Sequence, residues 1–219
     1  MASVNTNYGA MVALQQLNQT NSALETTQSR INTGLKVASA KDNGAIFAIA
    51  QGMRSDVAGY GVVKESLDRV SSTVDVAIAA GEAVSDLLVD MKEKALGAAD
   101  ASLTTAQRSA FNEDFTALRD QIATIVSNAE FNGVNLINNS TTGVNALASA
   151  DGTSTITVAD EAIGLSGSIV TLTSTAQLDT VTNASAAVGT IETSLNNLNQ
   201  ALARLGTASK SLSVHSDFV

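Results

Sequence analysis

Cysteine, proline and tryptophan are all missing from this 219-residue chain. Without cysteine there are no disulfides and no thiolate metal ligands. Without proline, nothing removes a backbone donor or clashes with the preceding turn, so long unbroken helices are open to the chain. Aromatic residues make up only 3% of it, while apolar residues make up 44%. A core of Ala, Leu, Ile and Val suits slender helix-on-helix packing, where small side chains let helices approach closely. Basic residues are also scarce: 12 Lys and Arg against 21 Asp and Glu leave a net charge of −9. That balance argues against nucleic-acid binding, which needs Lys and Arg to displace phosphate counterions. No apolar run approaches the roughly 20 residues of a membrane-spanning helix, so no membrane partner is expected. The opening stretch, Met1 to Ala10, has neither a basic cluster nor an apolar region, and no cleavable secretory signal is expected there. Composition alone thus points to a cytoplasmic protein.

What is present is periodicity. Apolar positions between Ile46 and Ala98 advance in steps of three and four, through Met53, Tyr60, Leu67, Val74, Gly81, Leu88 and Ala95. Sustained over several heptads, this is the pattern of a coiled-coil seam. Such a helix would be roughly 80 Å long, whereas a compact domain of this size has a radius of gyration of only ~17 Å. The helix is therefore expected to belong to a rod. Gly44, Gly52, Gly59, Gly61 and Gly81 each weaken it by up to about 1 kcal/mol relative to Ala.

Three more segments share the pattern. Phe111, Phe115, Leu118, Ile122, Ile125 and Ala129 form one stripe, with Thr104 or Thr105 placed to cap the helix. Ala184 to Leu212 repeats it near the end of the chain. At the start, Leu17, Leu24 and Ile31 fall seven apart with Leu14 beside them, on a helix otherwise rich in Asn, Gln and Thr. So narrow a stripe is marginal alone in water, because helix stability comes mostly from packing an apolar face. Between the third and fourth helices, residues 132–182 turn to Gly, Ser, Thr, Asn and Val. Alternation over Ser154–Val158 and Ile169–Leu172 predicts short strands, with turns at Asn132-Gly133, Asp151-Gly152 and Gly164 to Gly167.

The chemistry of a catalytic centre is not apparent. The single histidine, His215, lies near the end with no cysteine as a companion ligand. Carboxylate pairs such as Asp86/Asp90, Glu113/Asp114 and Asp68/Asp75 have the residue types for acid–base work. On amphipathic helices such residues usually form the solvated face, and Glu65/Arg69 and Asp90/Lys94 have the spacing of same-helix ion pairs. Gly59-Tyr60-Gly61 lies inside the long helix and lacks the strand–loop–helix setting of a phosphate loop. No catalytic, cofactor-binding or metal-binding residue is expected, and the chain reads as a non-enzyme.

One stretch carries identity. Arg30-Ile31-Asn32-Thr33-Gly34-Leu35-Lys36-Val37-Ala38-Ser39-Ala40-Lys41-Asp42-Asn43-Gly44-Ala45 resembles the signature segment of bacterial flagellins. Asn5-Thr6-Asn7 followed by Leu14, Leu17 and Leu24 is similar to the family's N-terminus. Glu130-Phe131-Asn132-Gly133-Val134 is similar to the turn that ends its second core helix. The small size and Ala-rich helices are most like alphaproteobacterial flagellins that lack large outer domains.

The resemblance implies a mainly α fold: an elongated, coiled-coil-like helical rod, the flagellin core, with a small β-hairpin element. It implies an inner-tube helix over 1–32, packing through Leu14, Leu17, Leu24 and Ile31. A spoke over 33–44 follows, with Arg30, Asn32, Gly34, Lys41 and Asp42 as subunit-packing residues. The rod is 45–131 with 183–219, and 132–182 is its β-rich segment. The function implied is that of a structural subunit of the flagellar filament, self-assembling by helix packing for swimming. The partners implied are other flagellin subunits and the flagellar type III export apparatus, which delivers the chain outside the cell without a cleaved signal. Two other classes share some of these features. A hook–filament junction protein has the same terminal helices but a less flagellin-like spoke. A flagellin-like envelope protein binding polysaccharide would want an aromatic-lined groove, yet Tyr8 and Tyr60, the only tyrosines, both sit on helical stripes.

Two departures from the family pattern carry expectations. Flagellins normally continue past the equivalent of Phe218-Val219. The chain as given is therefore expected not to build ordinary filaments alone, and to bind its export chaperone weakly. Many flagellins also present an arginine-containing patch to an animal Toll-like receptor. The matching stretch here has Asp90, Lys92 and Glu93, with an acidic residue in place of the key basic one, and poor receptor activation is expected.

Overall fold

The computed structural model describes residues 7–219; the Asn5 and Thr6 of the N-terminal match lie outside the described residues. The order of elements is α1 (Tyr8–Thr33), α2 (Gly44–Ala98), α3 (Thr105–Asn128), β1 (Val144–Leu147), β2 (Thr155–Val158) and α4 (Val181–Phe218). This is the expected mainly α architecture with a small antiparallel hairpin. The chain divides into two units, one running to Val57 and the other Ala58–Val219.

In the first unit, the Asn7 carboxamide oxygen accepts from Ala10 N at 3.1 Å and caps α1. Gly34 ends that helix with φ +67°, a left-handed conformation that glycine adopts without a Cβ penalty. No described residue of α1 is buried. The hydroxyls of Thr20, Thr26, Thr27 and Thr33 each donate to the carbonyl four residues back, so even the polar face satisfies itself locally.

The second unit is built on the seam of α2. Val63, Leu67, Val70, Val74, Val84, Leu88, Met91 and Ala95 are all buried. Lys92 Nζ lies 2.9 Å from Glu192 of α4, and a Cβ at Gly81 would stand 2.7 Å from Leu202 Cδ2. Rising numbers on α2 thus meet falling numbers on α4, and the two helices are antiparallel. Lys94 meets Asp114 at 3.3 Å, and a Cβ at Gly97 would meet the Phe111 ring at 2.9 Å, so α3 is antiparallel to α2 as well. The glycine that weakens α2 at position 81 is what lets α4 approach there. Thr104 forms a full capping box with Gln107 at the start of α3, so the expected cap is Thr104 rather than Thr105.

Further back along α2 the hairpin takes the place of α3. Leu147 N donates to Ser66 Oγ at 3.1 Å, the His215 ring Nε2 pairs with the Ala148 carbonyl at 2.8 Å, and a Cβ at Gly59 would meet Ala150 at 2.8 Å. β1 and β2 pair in the register Val144↔Val158 to Leu147↔Thr155, burying Ala146 and Val158.

The structure corrects three expectations. Ile169–Leu172 is not a strand. Ile169, Val170 and Leu172 are buried, but Thr171 N donates to Ser194 Oγ of α4, and Val170 and Leu172 carbonyls accept from Gly167 and Ser166 in a tight local turn. The partner of the expected Ser154–Val158 strand is instead Val144–Leu147. The α2 seam is also buried only from Val63 onward: Ile46, Ile49, Met53 and Val57 are more than half exposed. Finally, Lys94 pairs with Asp114 across helices rather than with Asp90 on its own.

Candidate subunit-packing surfaces

The sequence of the spoke dictates a self-capped loop. The Asp42 carboxylate accepts from the backbone N–H groups of Ala38 and Ser39, each at 3.1 Å, and Asp42 N donates back to the Ser39 carbonyl. Those donors, Ser39 first and Ala38 next, hold the Asp42 carboxyl below its usual range, helped by the Ser39 hydroxyl and the charge of Arg30. The neighbouring Asn43 Oδ1 accepts from Ile46 N at 3.1 Å and so starts α2. Gly34 and Asp42 therefore set the two ends of the segment. Arg30, Asn32 and Lys41 instead project as exposed side chains without hydrogen-bond partners among the described residues.

The apolar stripe of α1 is solvent-facing. Leu14, Leu17, Leu24 and Ile31 are 54–74% exposed, and Met11 joins them at 63%. The helix carries only Glu25 and Arg30 as charges. An aliphatic ridge on a nearly uncharged helix is a surface that gains from burial, at roughly 25 cal/mol per Å² before ordering costs.

The stretch matched to the receptor patch does not act as one group. Asp90 and Glu93 are exposed, while Lys92 leans across to Glu192. That partnership lies between helices, and spacing along one helix does not reveal it.

Sequence reading also missed the polar anchor of the β-rich segment. Arg204 of α4 donates through Nε and Nη2 to both carboxylate oxygens of Glu161, each at 2.6 Å, and Glu161 is only 8% exposed. Its neighbour Asp160 has Oδ1 buried without a hydrogen-bond partner among the described residues. Burial, and then the charge of Glu161, push the Asp160 carboxyl above its usual range.

Among the described residues, no three His, Asp or Glu side chains are grouped to hold a metal ion. The hollows of the second unit are open grooves; one of about 530 Å³ is lined by Ile156, Lys210, Val214, His215 and Phe218. Thr207 and Ser211 also line it, and the His215 ring Nε2 pairs with the Ala148 carbonyl rather than with either hydroxyl. The surfaces that stand out are helical faces.

Comparison with known proteins follows the same lines. A family model described as the bacterial flagellin N-terminal helical region matches residues 4–142. Over 217 residues the chain is 51% identical to flagellin FljK and 48% identical to flagellin FljM, both of Caulobacter vibrioides; each match covers 99% of this chain and 78% of the relative. A flagellin of Brucella melitensis is 37% identical over 149 residues, covering 68% of this chain and 52% of that one. Among solved structures, Bacillus cereus flagellin superposes with a TM-score of 0.63 at 20% identity, over 71% of this chain and 89% of that one, a likeness of fold.

Proposed function

The chain belongs to the bacterial flagellin family, and from that premise we propose how its parts divide the work. It is a structural subunit of the bacterial flagellar filament and polymerises with other flagellin subunits. Segment 1–32 supplies the inner tube through its described helix, which begins at Tyr8; 33–44 is the spoke, 45–131 with 183–219 the rod, and 132–182 its β-rich flank. The observation that carries this division is the exposure of Leu14, Leu17, Leu24 and Ile31 on a helix with no buried residue. The subunit contact on that helix is a helix-to-helix one, made through the aliphatic ridge. Arg30, Asn32 and Lys41 are the spoke's contact residues, while Gly34 and Asp42 shape the loop that presents them.

The chain acts mechanically and catalyses no reaction. It leaves the cell through the flagellar export apparatus without a cleaved signal. The test is to shear flagella from the source bacterium, separate filament from hook and envelope fractions, and identify peptides by mass. Peptides of this chain should dominate the filament fraction. Confinement to the hook fraction or to the envelope would overturn the reading in favour of a junction protein or a surface polysaccharide binder.

A further inference from the structure

Three times in this chain an Asn or Asp stands directly before glycine: Asn43-Gly44, Asn132-Gly133 and Asp151-Gly152. In such a pair the glycine nitrogen, with no Cβ beside it, attacks the side-chain carbonyl carbon and closes a five-membered imide. The three pairs are alike in sequence, but the fold holds them differently.

At two of them the reacting groups are tied down. The Asn43 side-chain oxygen accepts from Ile46 N at 3.1 Å and its backbone carbonyl accepts from Phe47 N at 2.9 Å. Turning that carboxamide onto Gly44 N undoes the start of α2. The Asp151 carboxylate accepts from the Ser149 hydroxyl, from Thr153 N at 3.1 Å and from the Thr153 hydroxyl at 3.0 Å. Gly152 N meanwhile donates to the Ser149 carbonyl at 3.0 Å. These donors, the Ser149 hydroxyl first, hold the Asp151 carboxyl below its usual range, and an ionised carboxylate has no leaving group for ring closure.

Asn132 is different. It is exposed, as are Phe131 and Gly133, and among the described residues neither its carboxamide nor the Gly133 N–H has a hydrogen-bond partner. Apart from its chain neighbours, a Cβ on Gly133 would have nothing nearer than Glu130 Oε1 at 4.0 Å, so no other element crowds the approach. Phe131 N donates to the Val134 carbonyl at 2.9 Å and Val134 N returns to the Phe131 carbonyl at 3.0 Å. With φ +51° at Asn132 and +80° at Gly133, this is a type I′ turn. Rotating only the central peptide by about half a turn gives type II′, in which Asn132 keeps its positive φ and Gly133 takes a negative one. Both flanking hydrogen bonds survive, and glycine takes either sign of φ at no steric cost. The type II′ value of ψ at the first central residue, about −120°, is also the one that a five-membered imide imposes on an L-residue. The turn thus swings Gly133 N onto Cγ without coming apart.

We propose that Asn132 is a site of spontaneous deamidation, with water as the co-reactant, and that the fold selects it over the other two pairs. Gly133 N gives up its proton to solvent and bonds to Asn132 Cγ; the Cγ–Nδ2 bond breaks and ammonia leaves. Water then opens the ring at either carbonyl, giving aspartate or isoaspartate. One water is consumed and one ammonia released, with nothing oxidised or reduced. Either product puts a new negative charge in the hollow that Asn132 shares with Asp68 and Arg69. Isoaspartate also lengthens the turn by one backbone atom, against the Phe131–Val134 bridge. Just beyond, Asn135 ties this segment to α3 by donating to the Val126 carbonyl at 2.7 Å, so the change falls beside a buried staple.

The test is to incubate the full 219-residue chain, folded, at mildly alkaline pH in heavy-oxygen water. Peptide mapping with fragment mass spectra then follows each of the three pairs. Asn132 should convert about tenfold or more faster than Asn43, whose cap must break first, and Asp151 should stay unchanged. Each event should take up one solvent oxygen, and isoaspartate should be the major product. In urea the cap and the turn are both lost, and the rates at Asn43 and Asn132 should draw together. Conversion of Asn43 or Asp151 as fast as Asn132 in the folded chain would overturn the proposal. So would no conversion at Asn132 over a period in which the unfolded chain reacts, aspartate as the sole product, or a gap between the two asparagines that persists in urea.

Discussion

Arg204 and Glu161 form a two-pronged ion pair, with 2.6 Å between Nε and Oε1 and again between Nη2 and Oε2. The carboxylate is buried and the guanidinium is half exposed. The pair ties the end of the hairpin to α4. Removing the cation leaves a buried acceptor without its partner, which costs more than the net worth of the bond. Arg204→Ala should therefore destabilise the Ala58–Val219 unit by about 2 kcal/mol. Glu161→Gln should cost less, because a neutral amide oxygen still accepts one of the two bonds. Urea denaturation of the two variants at neutral pH checks the order.

Asp160 should give the opposite result. Burial first, and then the charge of Glu161, raise its carboxyl above the ordinary value. The folded chain therefore holds a proton there more tightly than the unfolded chain does. Stability from this group is present below the unfolded pKa and is lost as pH rises through the folded pKa. Asp160→Asn should raise stability at neutral pH and flatten its decline with pH above the acid range. Melting temperatures measured from pH 3 to pH 7 for both proteins compare the slopes; parallel curves would contradict the assignment.

At Gly81 a Cβ would stand 2.7 Å from Leu202 Cδ2 and 3.4 Å from Ile163 Cδ1. Gly81→Val asks three elements to move at once, and overpacking of this kind costs about 1–3 kcal/mol. Gly189, in α4, has nothing within 4 Å of such a Cβ, so Gly189→Ala should stabilise by up to about 1 kcal/mol through helix propensity alone. Chemical denaturation of the pair separates packing from propensity.

The α1 ridge should separate assembly from folding. Leu17→Ser and Leu24→Ser replace side chains that are 56% and 54% exposed, so the thermal transition of the Ala58–Val219 unit should stay within about 0.5 kcal/mol of the parent. Incorporation of the double variant into filaments in the source bacterium should nonetheless fall severely. Normal incorporation would show that the ridge is not a packing surface.

Asp90 occupies the exposed position matched to the receptor patch. Asp90→Arg should raise activation of a Toll-like-receptor reporter about tenfold or more over the parent chain. Strong activation by the parent itself would refute the expectation of a poor agonist.

Much of this architecture was legible because periodicity reports which face of a helix is apolar. The Val63–Ala98 part of α2 became a buried seam, and the stripes of α3 and α4 face the core, although Phe111, Leu118 and Ile125 of α3 are only partly buried and Arg119 and Val126, outside the stripe, are buried. A threonine cap at Thr104 or Thr105, and the Asn132-Gly133 and Asp151-Gly152 turns, were legible because each depends on local backbone chemistry, whereas the reciprocal bond from Gln107 that selects Thr104 was not read. Periodicity does not say what covers a face, which is why Ile46 to Val57 read the same as Val63 to Ala98 yet is exposed. Apolar alternation was equally blind at Ile169–Leu172, which is buried under a turn held by Ser194 rather than in a sheet. The β1 strand, Val144-Asn145-Ala146-Leu147, has too short an alternation to stand out. Cross-helix pairs such as Lys92–Glu192, and the Arg204–Glu161 anchor, link positions far apart in sequence, and no local pattern marks them.

The most direct test of the filament assignment is immunogold electron microscopy of the source bacterium with antibodies raised against this chain. Gold running along the length of the filament is the expected result. Gold confined to the hook end, or spread over the cell envelope, would contradict it.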